Sequence, residues 1–185
     1  MDSFGFFVFE TTLGACGLAW GPDGLVGVQL PEGEASATAA RLGKRFPQAA
    51  PAESPPAWIT ELAEAVQGLL RGEPRDLSSA PLDLSRTPEL HRQIYAVTRA
   101  IRPGATLTYG DIARRLGDPN LAQAVGQAMG RNPFPIVVPC HRVLAAGGRM
   151  GGFSAHGGVA TKKRLLQIEG ARRNDPLPLF PAAEP

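Results

Sequence analysis

The sequence predicts an α/β chain in two parts. A small sheet-and-helix unit occupies residues 1–85, a mainly helical unit with a helix-turn-helix occupies 86–173, and 174–185 reads as a disordered tail. Apolar and small residues alternate through the first thirty positions around Gly21-Pro22-Asp23-Gly24, which is hairpin-turn chemistry. From Thr87 onward the apolar residues recur at helical spacing instead. The charge changes sign at the same boundary: residues 1–85 carry 5 basic and 11 acidic side chains, residues 86–173 carry 14 and 4.

Element by element, Phe4–Phe9, Gly14–Trp20 and Leu25–Leu30 read as a short antiparallel sheet. Glu34–Phe46 is a weak helix, Pro47–Pro56 a proline-rich connector, and Trp58–Leu70 a helix stopped by Gly72. Residues 75–86 read as linker or edge strand. Thr87 is expected to cap a helix with Pro88 at its first position and Leu90, Ile94, Val97 and Ile101 as its stripe. Thr108 then caps a short helix, Tyr109–Leu116, closed by Gly117. After a turn at Asp118-Pro119-Asn120 a third helix runs to about Met129, which completes the helix-turn-helix pattern.

That third helix is unusually smooth. Leu121, Ala124, Val125, Ala128 and Met129 form an inward face, and Ala122, Gln123, Gly126, Gln127 and Gly130 form the other. Glycine inside an exposed helix costs about 1 kcal/mol relative to alanine, so a close-approaching partner is expected. The partner is either a narrow nucleic-acid groove or another helix of the same protein. In the last helix Lys162, Lys163 and Arg164 are read in the first turn and Glu169 in the last, both against the helix macrodipole. Cations there suit a phosphate, and a carboxylate suits a buried cation or histidine. The positive half also suits a polyanion.

No apolar run approaches bilayer length, and Met1 opens no basic-then-apolar leader. Two cysteines give neither a disulfide framework nor a structural zinc set. A cytoplasmic protein is expected, and nothing suggests an oligomer. Cys140 stands next to His141 within Pro139-Cys140-His141-Arg142-Val143, between an apolar run and a glycine-rich stretch. A thiol needs a base or cation to act as a nucleophile. The pair alone fits either chemistry or an inert buried contact.

Together Tyr109-Gly110, Gln123-Ala124-Val125-Gly126, Arg131-Asn132-Pro133, Pro139-Cys140-His141-Arg142-Val143, Gly151-Gly152-Phe153-Ser154 and Glu169-Gly170 resemble the O6-alkylguanine-DNA alkyltransferases, in unbroken order over about 86–171. The resemblance implies a ribonuclease-H-like N-terminal unit and a winged-helix-like C-terminal one. It implies a monomer that binds double-stranded DNA containing alkylated guanine through the minor groove and flips the lesion out of the stack. Cys140 then takes the alkyl group from guanine O6 (O4-alkylthymine being a further substrate) in one irreversible turnover, with no cofactor and no metal.

By position His141 is the base acting through a water, Glu169 orients it, and Tyr109 crowds the rotating phosphate and donates a proton. Tyr109, Ala122, Gln123, Gly126, Gln127, Arg131 and Lys162 are the expected DNA contacts. Asn132, Pro135, Val143, Phe153 and Ser154 are the expected pocket. The chain departs from the family pattern at Gln123, where many members carry an intercalating arginine, and at Phe153, where tyrosine is common; the N-terminal metal ligands of some relatives are absent. The Gln123 departure leaves a slow or non-catalytic sensor of alkylated DNA as the alternative function. The small residues of the third helix argue against a major-groove regulator, and no acyl substrate suggests a cysteine hydrolase.

Overall fold

A computed structural model describes residues 4–154 and 157–171, so the tail expected over 174–185 lies outside the described residues. The alternating N-terminal runs fold as β1 (Gly5–Thr11), β2 (Gly14–Gly21) and β3 (Gly24–Gln29), with Pro22-Asp23 as the two-residue loop of the second hairpin. Helix α1 (Ala35–Arg45), strand β4 (Ala50–Pro51) and helix α2 (Ala57–Leu70) follow.

Strand β4 corrects the reading of 47–56 as connector alone. It pairs parallel with β1 and sets the sheet order β3-β2-β1-β4. Ala50 and Ala52 supply the ladder N–H groups to Phe4 and Phe6 carbonyls at 3.3 and 2.9 Å. Pro51, lying between them, faces its missing donor away from the ladder, as edge strands allow. Residues 75–86 are mostly irregular and pin the outer edge of β3 through one bridge. Leu25 N donates to Pro81 O and Asp83 N to Leu25 O, both at 2.9 Å.

Helix α3 (Glu89–Arg99) begins one residue later than expected, and Thr87 is not its cap. Pro88 sits at φ −56°, ψ 146°, outside the helix, and its carbonyl accepts the first helical N–H, from Arg92 at 3.0 Å. Strand β5 (Leu107–Thr108) leads into α4 (Tyr109–Arg115). Thr108 caps α4 through a box with Asp111, each side chain meeting the other's backbone N–H. A 3-10 turn over Pro119–Leu121, capped by Asp118, delivers the chain to α5 (Ala122–Gly130). Strand β6 (Val143–Leu144) pairs parallel with β5, and α6 (Gly158–Ile168) closes the fold.

One apolar cluster runs through both halves, from Phe9, Leu18 and Val66 to Ile94, Val125, Phe134 and Leu165. Val28 N donates to Pro133 O at 2.9 Å, tying β3 to the segment after α5. The short β5–β6 ladder matters most for the site. It holds the residues that follow Cys140 beside those that lead into Tyr109.

Candidate active site

Between α5 and β6 the chain makes an irregular, buried loop. Asn132 organises it: its Nδ2 donates to Val138 O at 2.8 Å, and its Oδ1 accepts from Phe134 N at 2.9 Å. Ile136 sits at φ +73°, left-handed backbone that a β-branched residue rarely adopts. Such a conformation costs about 1–3 kcal/mol and persists where packing over-determines it; Phe134, Ile136, Val137 and Val138 are all buried. Cys140 N then donates to Val138 O at 2.7 Å and Arg142 N to Pro139 O at 2.9 Å, so Cys140–Arg142 forms a 3-10 turn. In such a turn successive side chains diverge by about 120° rather than pointing to opposite sides as on a strand.

Within this turn His141 and Arg142 reach the same carboxylate. His141 is fully buried, and its Nε2 donates to Glu169 Oε1 at 2.9 Å. Arg142 grips the other edge of that carboxylate, Nε to Oε2 at 2.9 Å and Nη2 to Oε1 at 2.8 Å, while its Nη1 donates to Ile101 O. Burial works against the charge on Glu169, but these donors and cations dominate and hold its carboxyl down to about 2. An ionised Glu169 requires the proton of a neutral His141 to be on Nε2, which leaves Nδ1 with its lone pair. Nδ1 is buried and without a partner among the described residues.

Cys140 is 7% exposed and lines a cavity of about 150 Å³ with Asn132, Pro135, Phe153 and Ser154. Burial pushes the thiol up, against smaller opposing effects of Asn132 and of the Lys162 charge. Burial also pulls His141 down, outweighing Glu169. Thiol and imidazole therefore rest as a neutral pair.

Two expected site residues stand elsewhere. Helix α6 begins at Gly158, so Lys162 belongs to its second turn; the side chain is fully buried and Nζ donates to Val143 O at 2.6 Å. It is no surface DNA contact, unlike the exposed Lys163 and Arg164 beside it. Val143 is fully buried as well and is not among the residues lining the cavity. Its carbonyl accepts from the Lys162 ammonium instead of facing the cavity's interior as a pocket residue.

Tyr109, the first residue of α4, is half-buried, and Gly151 packs so closely on its hydroxyl that a Cβ there would overlap it. Tyr109 and Ala122 border a common surface hollow. Along α5, Gln123, Gln127 and Gly130 are exposed, as is Arg131 at its end, and a Cβ built on Gly126 or Gly130 meets no atom within 4 Å. That removes internal helix packing as the reason for the glycines.

Residues 89–171 match the family model of the 6-O-methylguanine DNA methyltransferase, DNA binding domain. A methylated-DNA–protein-cysteine methyltransferase of Methanothermobacter thermautotrophicus is 36% identical over 154 residues, spanning 83% of this chain and 78% of its own. The chain belongs to the methylated-DNA–protein-cysteine methyltransferases. A second such relative, from Methanosarcina acetivorans, is 30% identical over 174 residues, 90% of this chain and 98% of its own. The crystal structure of the Mycobacterium tuberculosis O6-methylguanine methyltransferase superposes with a TM-score of 0.71 at 28% identity, covering 95% of this chain and 97% of that one. The Mycobacterium tuberculosis OGT in complex with DNA gives 0.72 at 28% identity, covering 89% and 92%.

In this methyltransferase the sequence reading gave buried Arg142 no role and assigned buried Lys162 to DNA. Arg142 was legible only as half of a hint, since a carboxylate at a helix C-terminus asks for a buried cation. Lys162 carried no signal of its own, standing first in a run of three basic residues whose other members are solvated.

Proposed function

We propose that this methyltransferase repairs DNA by direct reversal, moving the alkyl group of O6-alkylguanine, and of O4-alkylthymine, to Cys140 in a single irreversible turnover. The observation that carries the reading is the His141–Glu169 pair. A histidine fixed by an ionised carboxylate, its second nitrogen without a partner among the described residues and a buried thiol next to it in the chain, is a base waiting for one proton. Residues 86–173 form the unit that binds DNA and transfers the group, and residues 1–85 the unit that precedes it.

Double-stranded DNA lies along α5, with Ala122, Gln123, Gly126, Gln127 and Arg131 against the minor groove and Tyr109 against the phosphate of the rotating nucleotide. The lesion leaves the stack and enters the cavity lined by Asn132, Pro135, Phe153 and Ser154, where Ser154 donates towards O6. His141 Nδ1 takes the thiol proton through a water. The sulfur attacks the alkyl carbon, the C–O6 bond breaks with its electron pair going to O6, and guanine takes a proton from Tyr109, whose hydroxyl regains the proton that the thiol gave to His141. Imidazolium forms against Glu169, which compensates its charge. Gln123 fills the vacated position with an amide in place of a guanidinium, at the loss of stacking and cation–π contact.

The neutral pair fixes the pH dependence. The His141 pKa lies below its ordinary 6.5 and the Cys140 pKa above its ordinary 9.0. Single-turnover transfer is therefore expected to be flat across neutral pH, falling only below about 6.5 as His141 protonates and rising above about 9 as Cys140 ionises. A rate climbing tenfold per pH unit through pH 7 contradicts this.

Cys140→Ala tests the assignment of the nucleophile. It is expected to bind a duplex carrying O6-methylguanine as well as the parent chain does and to acquire no methyl group. Methyl transfer surviving in Cys140→Ala removes Cys140 from the reaction. Lesion binding with no transfer in the parent chain favours the sensor, and Gln123→Arg then asks whether a failed flip is the cause.

A further inference from the structure

The cavity that holds Cys140 is lined also by charged side chains from the N-terminal half. Glu32, just after β3, and Arg41 and Arg45 on α1 border the same volume of about 150 Å³. Arg45 is fixed in place. Its Nη1 donates to Val28 O at 3.0 Å and to Gln29 Oε1 at 2.8 Å, and its guanidinium carbon lies 5.0 Å from the Phe46 ring centroid. Gln29 Nε2 in turn donates to Glu32 Oε1 at 2.8 Å.

Arg41 stands one helical turn before Arg45, and like charges at that spacing oppose each other. The repulsion is felt here. Burial first and the Arg41 charge second lower the Arg45 pKa, against the opposing pull of Glu32. Arg41 is exposed, and no hydrogen bond or ion pair engages it among the described residues. Among the described residues, two guanidinium groups stand against one carboxylate at the rim of the alkyl pocket, a positive excess. Arg45 also ties α1 to β3, whereas Arg41 makes no such bond among the described residues.

We propose that Arg41, supported by Arg45, selects O6-alkylguanines whose alkyl group ends in a carboxylate, of which O6-carboxymethylguanine is the smallest; this rests on Cys140 being the alkyl acceptor. The methylene carbon bonds to Cys140 sulfur, the carbon–O6 bond breaks with its electron pair going to O6, and the guanine takes a proton from Tyr109, which regains the one the thiol gave to His141. The carboxylate stays ionised throughout, now on the cysteine thioether and against the guanidinium pair. No oxidant, reductant or co-reactant is needed. An ammonium-bearing group of similar length meets the same excess as repulsion.

The test compares single-turnover rates on one duplex sequence carrying O6-methyl-, O6-carboxymethyl- or O6-(2-aminoethyl)guanine. The parent chain is expected to prefer carboxymethyl over aminoethyl. In Arg41→Gln that ratio falls about fivefold, the scale of one partly exposed ion pair, and Arg41→Lys keeps most of it. A ratio unmoved by Arg41→Gln overturns the proposal. Equal slowing on all three duplexes, with a shallower salt dependence, also overturns it and makes Arg41 a DNA phosphate contact. Absence of transfer from the O6-methyl duplex in the parent chain overturns the Cys140 reading itself, and this proposal with it.

Discussion

Glu169→Gln is expected to slow alkyl transfer by about 10²–10⁴-fold, the range lost with a positioned general base. The carboxylate serves two donors at once, His141 Nε2 on one side and the Arg142 guanidinium on the other. An amide offers one acceptor oxygen and turns an N–H₂ group towards a donor. If the oxygen keeps His141, the amide nitrogen opposes Arg142; if it keeps Arg142, the nitrogen donates to His141 and reverses its tautomer, which puts the proton on Nδ1. Arg142 is 6% exposed, so it becomes an uncompensated buried charge. Breaking a buried pair in this way costs about 3–5 kcal/mol, readable by urea unfolding.

The pH dependence gives an independent check. The Glu169 pKa is lowered from an ordinary 4.5 to about 2. Its contribution is therefore complete above about pH 4.5 and is lost as pH falls towards 2. The parent chain loses stability through that window, and Glu169→Gln lacks that component. A variant that keeps the parent rate and the parent acid limb removes Glu169 from the mechanism.

Gly126→Gln is expected to separate folding from DNA binding. The position lies in open space on α5, where an added Cβ meets no neighbouring atom, and replacing a helical glycine by a good helix former gains about 0.5–1 kcal/mol. Thermal stability rises. The same side chain stands between the helix and a groove about 6 Å wide, so DNA affinity falls, by at least tenfold. The two effects have opposite signs, which a merely structural glycine cannot produce. Loss of stability with unchanged affinity contradicts the placing of DNA along this face.

Those residues also show how far the sequence could be read. The C-terminal helices were legible because their signals are local: the capping box of Thr108 and Asp111, the stop at Gly117, the turn at Asp118-Pro119-Asn120. The start of α3 was misread by one residue because Thr87 and Pro88 both suit a helix entrance, and the preference of proline for extended backbone at the cap prevailed. Strand β4 escaped because two residues carry no periodicity; it exists only through its pairing with β1. In the site, the motifs named Asn132, His141 and Glu169, and the structure adds the bonds they make, Asn132 to Val138 and His141 to Glu169. The Arg142 clamp and the burial of Lys162 depend on contacts between residues 19 to 41 positions apart, which no spacing rule encodes. The charged rim from α1 is more remote still, since it joins Arg41 to Cys140 across the two halves of the chain.

The central claim is that Cys140 is the acceptor in a single-turnover alkyl transfer. Intact mass and peptide mapping, after mixing the protein with excess duplex carrying one O6-methylguanine, test it most directly. The expected result is a gain of one methyl group per protein molecule, confined to the peptide that contains Cys140, with no further lesion repaired once the protein is spent. Tight lesion binding without a mass gain, or a methyl group on any other residue, contradicts it.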